Sequence, residues 1–163
     1  MNGPANSFDE SGMTVLVKSV EDTDVLGGKL ATAIEPGIVV ALVGELGAGK
    51  TRLVRAMATA LGADPHEVNS PTFILVQRYN ARFPLFHFDA YRLRDADEFA
   101  DLGPEEYFDS RAVCFVEWAD RVADSLPVDH LRVEIAATSE TARLIRFDAT
   151  GPKSRAVLSR LSF

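Results

Sequence analysis

The chain has 163 residues, 47% of them hydrophobic and 25% charged, which suits one globular domain with a core of its own. Its formal net charge of −7 argues against a surface devoted to gripping nucleic acid, where clustered lysine and arginine dominate. No apolar run approaches the roughly 20 residues needed to cross a bilayer, so no membrane helix is expected.

Residues 1–12 are polar, with Gly3, Pro4, Asn6, Ser7 and Ser11. They lack the basic start and apolar stretch of a secretory signal and read as a flexible tail ahead of a single domain over 13–163. Residues 14–17 are a short strand candidate. Ser19 or Thr23 can cap a following helix in which Leu26, Leu30 and Ile34 share one face. Gly27 and Gly28 weaken that helix by about 1 kcal/mol each relative to alanine, so tertiary packing must hold it. Glu35-Pro36-Gly37 then turns the chain into the apolar run 38–43, which reads as a strand buried on both faces.

The next eight residues, Gly44-Glu45-Leu46-Gly47-Ala48-Gly49-Lys50-Thr51, fit the phosphate-loop pattern G-x-x-x-x-G-K-[ST]. Leu53, Val54, Met57, Ala60 and Leu61 follow at helical spacing until Gly62 supplies a stop, so the loop joins a strand to a helix. Glycines there let the backbone curl until successive N–H groups point at phosphate oxygens, and the helix N-terminus adds partial positive charge. Lys50 is placed to neutralise the β- and γ-phosphates, and Thr51 to offer its hydroxyl to Mg²⁺.

Beyond a polar stretch, Ser70-Pro71-Thr72 sets hydroxyls on a proline-stiffened turn. That suits a switch loop sensing the γ-phosphate, and equally a plain turn before a strand. Residues 73–79 and 84–88 form a hairpin about the turn 80–82. An acidic, partly helical stretch over 95–109 breaks at Gly103-Pro104, and residues 112–116 form a buried strand. That strand carries Cys114, the one cysteine of the chain, read as a buried reduced thiol, which fits the cytoplasm. A short helix over 119–126, alternating strands over 131–135 and 141–148, and a helix over 152–161 with Val157 and Leu161 on one face complete the chain.

Strands alternating with helices, apolar early and alternating late, give an α/β fold: a mostly parallel sheet extended by antiparallel strands and flanked by helices. Ligands bind such sheets outside the carboxyl ends of the strands. Asp89 ends the run 85–88 and Glu117 ends the run 113–116, so these acids are candidates to complete a magnesium–triphosphate site. Asp89 is assigned to the metal's water shell and Glu117 to the metal or the attacking water, with the identity of the base left open. His87 shares a strand face with Asp89. With His66 and His130 as the only other histidines, it reads as a packed or hydrogen-bonded residue rather than a metal ligand. Trp118 either closes over the site, contacts a partner or packs.

The phosphate loop, Ser70-Pro71-Thr72-Phe73, His87-Phe88-Asp89-Ala90-Tyr91-Arg92-Leu93 and Val116-Glu117-Trp118, in this order, closely resemble the TsaE family, formerly called YjeE, over roughly residues 14–150. The resemblance implies a P-loop NTPase-like fold and a small bacterial ATPase, slow when isolated. Such an enzyme acts with TsaB and TsaD to form threonylcarbamoyladenosine beside the anticodon of tRNA and meets the tRNA only indirectly. It implies ATP and Mg²⁺ as ligands, with Gly44, Gly47, Ala48, Gly49, Lys50 and Thr51 at the phosphates. Thr51 and Glu117 would lie at the metal, and Asp89 would match a Walker B-like acid. Thr23 would lie near the nucleotide base, and Arg143 would match a late basic residue touching the nucleotide. A monomer is favoured. The rival readings are a small-molecule kinase built on the same loop and a switch that binds nucleotide without hydrolysing it.

Overall fold

The computed structural model describes residues 7–9, 12–69, 75–109 and 111–161. The strands are β1 (Ser7–Asp9), β2 (Gly12–Val17), β3 (Val39–Val43), β4 (Val76–Tyr79), β5 (Leu85–Asp89), β6 (Val113–Glu117), β7 (Leu131–Ala137) and β8 (Arg143–Ala149). They form one sheet in the order β1-β2-β8-β7-β3-β6-β5-β4. Its middle, β7-β3-β6-β5, is parallel. Antiparallel strands extend it on both sides, β8, β2 and β1 beyond β7 and β4 beyond β5. The expected parallel sheet with antiparallel extensions is therefore present.

Helices cover both faces. On one lie α1 (Val20–Ala33), α2 (Lys50–Ala60) and α5 (Pro152–Arg160), packed over Val40, Leu42, Phe115 and Phe147. On the other, α3 (Ala96–Ala100), α4 (Pro104–Phe108) and a 3₁₀ turn over Ala119–Ser125 enclose Val39, Ala41, Phe88 and Val116. Strand β3 thus sends alternate residues into both layers, which is why it reads as an unbroken apolar run. Phe88 stacks edge-on against Phe99 and Tyr107, fastening the short acidic helices to the sheet.

Local chemistry sets the ends of the elements. Ser19 caps α1, its Oγ accepting from the Asp22 N–H at 3.1 Å, so of the two candidate caps it is Ser19 that serves. Gly27 lies where α1 crosses α2, and a Cβ there would come within 2.3 Å of the Ala56 Cβ. The helix-weakening glycine is what lets the two helices approach. In α2, Leu53, Val54, Met57 and Leu61 are buried as the spacing predicts, while Ala60 faces out and Ala58 takes the inward position.

Two readings need correction or fall outside the description. The tail expected over 1–12 is strand at Ser7–Asp9, paired antiparallel with β2, which itself begins at Gly12. The outer edge of β2 offers backbone N–H and C=O groups, and an extended neighbour satisfies them whatever the polarity of its side chains. Ser70 and Thr72, the candidate switch residues, lie outside the described residues.

Candidate functional site

Strands β3, β5 and β6 run parallel, so their carboxyl ends open on one edge of the sheet. The loop 44–49 leaves β3 there, Asp89 ends β5 and Glu117 ends β6. The register sets Glu117 beside Leu42 on one side and Asp89 on the other, so both carboxylates stand next to the loop. A depression of about 460 Å³ brings Gly47, Gly49, Lys50, Thr51, Asp89, Glu117 and Trp118 together.

The loop is shaped by its glycines. Gly47 and Gly49 hold φ of 78° and 111°, a region that side chains rarely tolerate. At Gly44 a Cβ would lie 2.5 Å from the Ile135 carbonyl oxygen of β7, so the close approach of loop to strand requires glycine. Gly49 opens α2 without a side-chain cap, leaving the helix's first N–H groups to other partners. Buried Ala48 donates its N–H to the Glu45 carbonyl at 3.0 Å, and its own carbonyl accepts from Arg143 Nε at 2.8 Å. Arg143 also donates to the carbonyls of Ser139 and Ala142, at 3.0 and 2.9 Å. It thereby ties the phosphate loop to the β7–β8 hairpin.

Lys50 is only 5% exposed. Its Nζ donates to the Gly44 and Glu45 carbonyls, at 2.5 and 2.9 Å, and stands 3.9 Å from the centre of the Trp118 ring. Burial pulls its pKa below the usual lysine value, while the negative charges of Glu117, Asp89 and Asp120 act in the opposite sense. Trp118 takes a left-handed backbone, φ 59°, unusual for a bulky residue and costly by about 1–3 kcal/mol. Its ring also meets Tyr91, at 4.9 Å between centres, with Arg121 close to both rings. Trp118 therefore packs on Lys50 from the rim of the depression.

Thr51 Oγ1 donates to Glu117, 2.8 Å from Oε1 and 3.0 Å from Oε2. Glu117 is 2% exposed, and its Oε2 also lies 2.5 Å from His87 Nε2. His87 Nδ1 in turn meets the Tyr79 hydroxyl at 2.8 Å, and that hydroxyl lies 3.1 Å from the Asn69 carbonyl. Burial, chiefly, pushes the Tyr79 phenol up to about 12. Both ring nitrogens of His87 are thus engaged by protein groups. Asp89, 4% exposed, accepts the Tyr91 N–H on Oδ1 at 2.8 Å. Among the described residues no three His, Cys, Asp or Glu side chains converge as a metal cage. What does converge is a hydroxyl and two carboxylates beside a phosphate loop, an all-oxygen donor set that fits a hard cation keeping several waters.

A second depression of about 310 Å³ adjoins the loop at Ala48 and Gly49 and is lined in part by Thr23, Ile135 and Arg143. Thr23 is anchored there by its hydroxyl, which donates to the Ser19 carbonyl at 3.4 Å. Every candidate side chain within the described residues therefore borders one of two neighbouring hollows. Cys114 stands apart, its thiol pushed up to about 12 by burial. The sequence reading passed over Tyr79 and Tyr91. Tyr79 could have been found from the hairpin, since the register places it on the face of Leu85 and His87. Tyr91 lies within the run 87–93 that carries the resemblance, where no role was assigned to it.

The chain is similar to known proteins in sequence and in fold. The family profile described as "Threonylcarbamoyl adenosine biosynthesis protein TsaE" matches residues 17–145. The chain is 39% identical over 143 residues to the tRNA threonylcarbamoyladenosine biosynthesis protein TsaE of Bacillus subtilis, covering 87% of this chain and 89% of that protein. To the protein of that name from Treponema pallidum it is 37% identical over 133 residues, covering 82% and 98%. The crystal structure of Bacillus subtilis YdiB superposes with a TM-score of 0.79 at 31% identity, over 95% of this chain and 97% of that one.

Proposed function

The chain belongs to the TsaE family, and from that premise we propose that it is a Mg²⁺-dependent ATPase acting with TsaB and TsaD in forming threonylcarbamoyladenosine on tRNA. The observation that carries the proposal is the bond between Thr51 of the phosphate loop and the buried Glu117, at 2.8 Å, with Asp89 on the next strand. The buried Glu117 carboxylate is held by Thr51 and His87, and at the mouth of such a loop Thr51 and Glu117 are the oxygen donors that would hold a hard cation. Magnesium, when bound, supplies charge neutralisation at the β- and γ-phosphates. The rest falls to the chain itself. The amides of 47–51 cradle the phosphates, Lys50 exchanges the Gly44 and Glu45 carbonyls for phosphate oxygens, and Asp89 and Glu117 order the water around the site. The hollow beside Thr23 and Arg143 receives the nucleoside.

Dependence on protein partners is supported by the rim. Leu46, at the tip of the loop, is 76% exposed and Tyr91 37% exposed, and both line the depression at the phosphate loop, so apolar surface borders it. A partner seated there would feel the state of the loop. The net charge of −7 agrees with contact to tRNA through other proteins. The kinase reading calls for arginines around the transferred phosphoryl; Arg94, one candidate, is instead paired with Glu98 at 3.0 Å. Multiple-turnover synthesis of threonylcarbamoyl-tRNA, reconstituted from TsaB, TsaD and this protein, tests the proposal. Lys50→Ala is expected to abolish turnover beyond the first round, and undiminished turnover with that variant would overturn it.

A further inference from the structure

The buried chain Tyr79–His87–Glu117 crosses three neighbouring strands, β4, β5 and β6, and the phosphate loop touches only its last member. The three side chains are 1%, 0% and 2% exposed, so none is there for solubility. A carboxylate accepts but does not donate, so the ring nitrogen against Glu117, Nε2, carries a proton and donates it to Oε2. Thr51 also donates to Glu117. Thr51 can turn a lone pair to a cation and still donate its hydroxyl hydrogen to Glu117, and the histidine bond to Oε2 need not change. His87 cannot rotate away, because its Nδ1 is held by the Tyr79 hydroxyl at 2.8 Å.

We propose that His87, braced by Tyr79, is a positioning residue: it fixes Oε2 of Glu117 so that Oε1 is presented toward Thr51 and the incoming magnesium ion. This rests on the reading of Glu117 as a magnesium-facing carboxylate. Outer partners of metal-bound carboxylates set ligand orientation, and their loss typically costs 10–100-fold in metal affinity or activity. A purely packing histidine would affect stability alone.

Two substitutions separate these roles by the reach of their amides. In His87→Gln the side-chain nitrogen approximates Nε2 and keeps the donor to Glu117; in His87→Asn it approximates Nδ1 and leaves Glu117 without that donor. The Mg²⁺ requirement of ATP hydrolysis is measured for each, together with ADP affinity by calorimetry in excess EDTA and in Mg²⁺, and with melting temperature. The positioning role predicts that His87→Asn raises the Mg²⁺ requirement about 10–100-fold while ADP affinity in EDTA is unchanged, and that His87→Gln restores most of the loss. Tyr79→Phe keeps the ring packing and is expected to shift the requirement in the same direction by less. Equal Mg²⁺ requirements for Asn and Gln, or a parallel fall of ADP affinity in EDTA, would overturn the proposal. Wild-type protein is the control for the function itself: failure of wild type to bind Mg·ADP removes the nucleotide reading, whereas wild-type binding with no separation of the two variants removes only the positioning role.

Discussion

Lys50 and Thr51 are adjacent in sequence yet engaged with different parts of the molecule. Lys50 is folded onto its own loop's carbonyls and the Trp118 ring, and Thr51 bridges to Glu117 on β6. On the proposed reading, a magnesium–triphosphate would take Lys50 Nζ from the loop carbonyls, while Thr51 has lone pairs to offer a metal beside its bond to Glu117. Thr51→Val preserves the branched shape and removes the hydroxyl. The stability cost should stay near 1 kcal/mol, because Glu117 retains its bond to His87. Mg²⁺-stimulated hydrolysis should fall at least 10–100-fold, with binding of Mg-free ADP preserved. Urea titration and Mg²⁺-dependent kinetics on the same preparation check both halves. The residues legible in the sequence were those whose role is fixed by local pattern: the loop glycines, Lys50, Thr51 and the two strand-ending acids. His87 could be placed on the right face, and the hairpin brings Tyr79 to that face, but its bond to Glu117 depends on the parallel register of β5 and β6, which no local spacing specifies. Arg143 was found through resemblance alone, and its grip on the Ala48 carbonyl joins positions 95 apart in the chain.

At the scale of elements, two contacts decide how the scaffold holds the site. The first is the crossing of α1 over α2 at Gly27. Alanine there would gain about 1 kcal/mol of helix propensity, but its Cβ would stand 2.3 Å from the Ala56 Cβ and 3.0 Å from the α2 backbone at Ala56 and Met57. Overpacking of that kind costs about 1–3 kcal/mol, so the clash outweighs the gain. Gly27→Ala should lower the melting temperature by a few degrees, whereas a rise would show that α1 can shift freely. The second is the start of α5. Its N-cap, Gly151, has no side chain to offer; Ser154 Oγ of the first turn accepts the Gly151 N–H at 3.0 Å, and Asp129 caps the helix from a preceding loop, accepting from the Lys153 and Ser154 N–H groups at 2.7 and 3.1 Å and from the Ser154 hydroxyl at 2.7 Å. Burial acts upward on the Asp129 pKa, but these donors outweigh it and hold the group below the usual carboxylate value. A carboxyl depressed in the folded state stabilises fully above its unfolded pKa, near 4, and loses that contribution as pH falls through the folded value. Asp129→Ala should therefore cost about 1 kcal/mol at pH 7 and progressively less below pH 4, measured by denaturant unfolding across that range. A difference independent of pH would contradict the assignment. Element order was legible because apolar runs and alternating runs signal different strands. The pairing of β1 was not, since an edge strand is recruited by backbone hydrogen bonds rather than by side-chain pattern.

For the molecule as a whole, the sheet concentrates its chemistry on one edge. Four parallel strands end there, and of the hollows at the phosphate loop one gathers Lys50, Thr51, Asp89 and Glu117 and another is bordered by Thr23, Ile135 and Arg143. Among the described residues no helix is long and apolar enough to cross a membrane. Calorimetric titration of the purified protein with ATP, with and without Mg²⁺ and beside the Lys50→Ala variant, tests the central claim most directly. One nucleotide should bind per chain, more tightly with Mg²⁺, and Lys50→Ala should remove the binding. Absence of any heat of binding from the wild-type protein in Mg²⁺, alone or with TsaB and TsaD present, would contradict it.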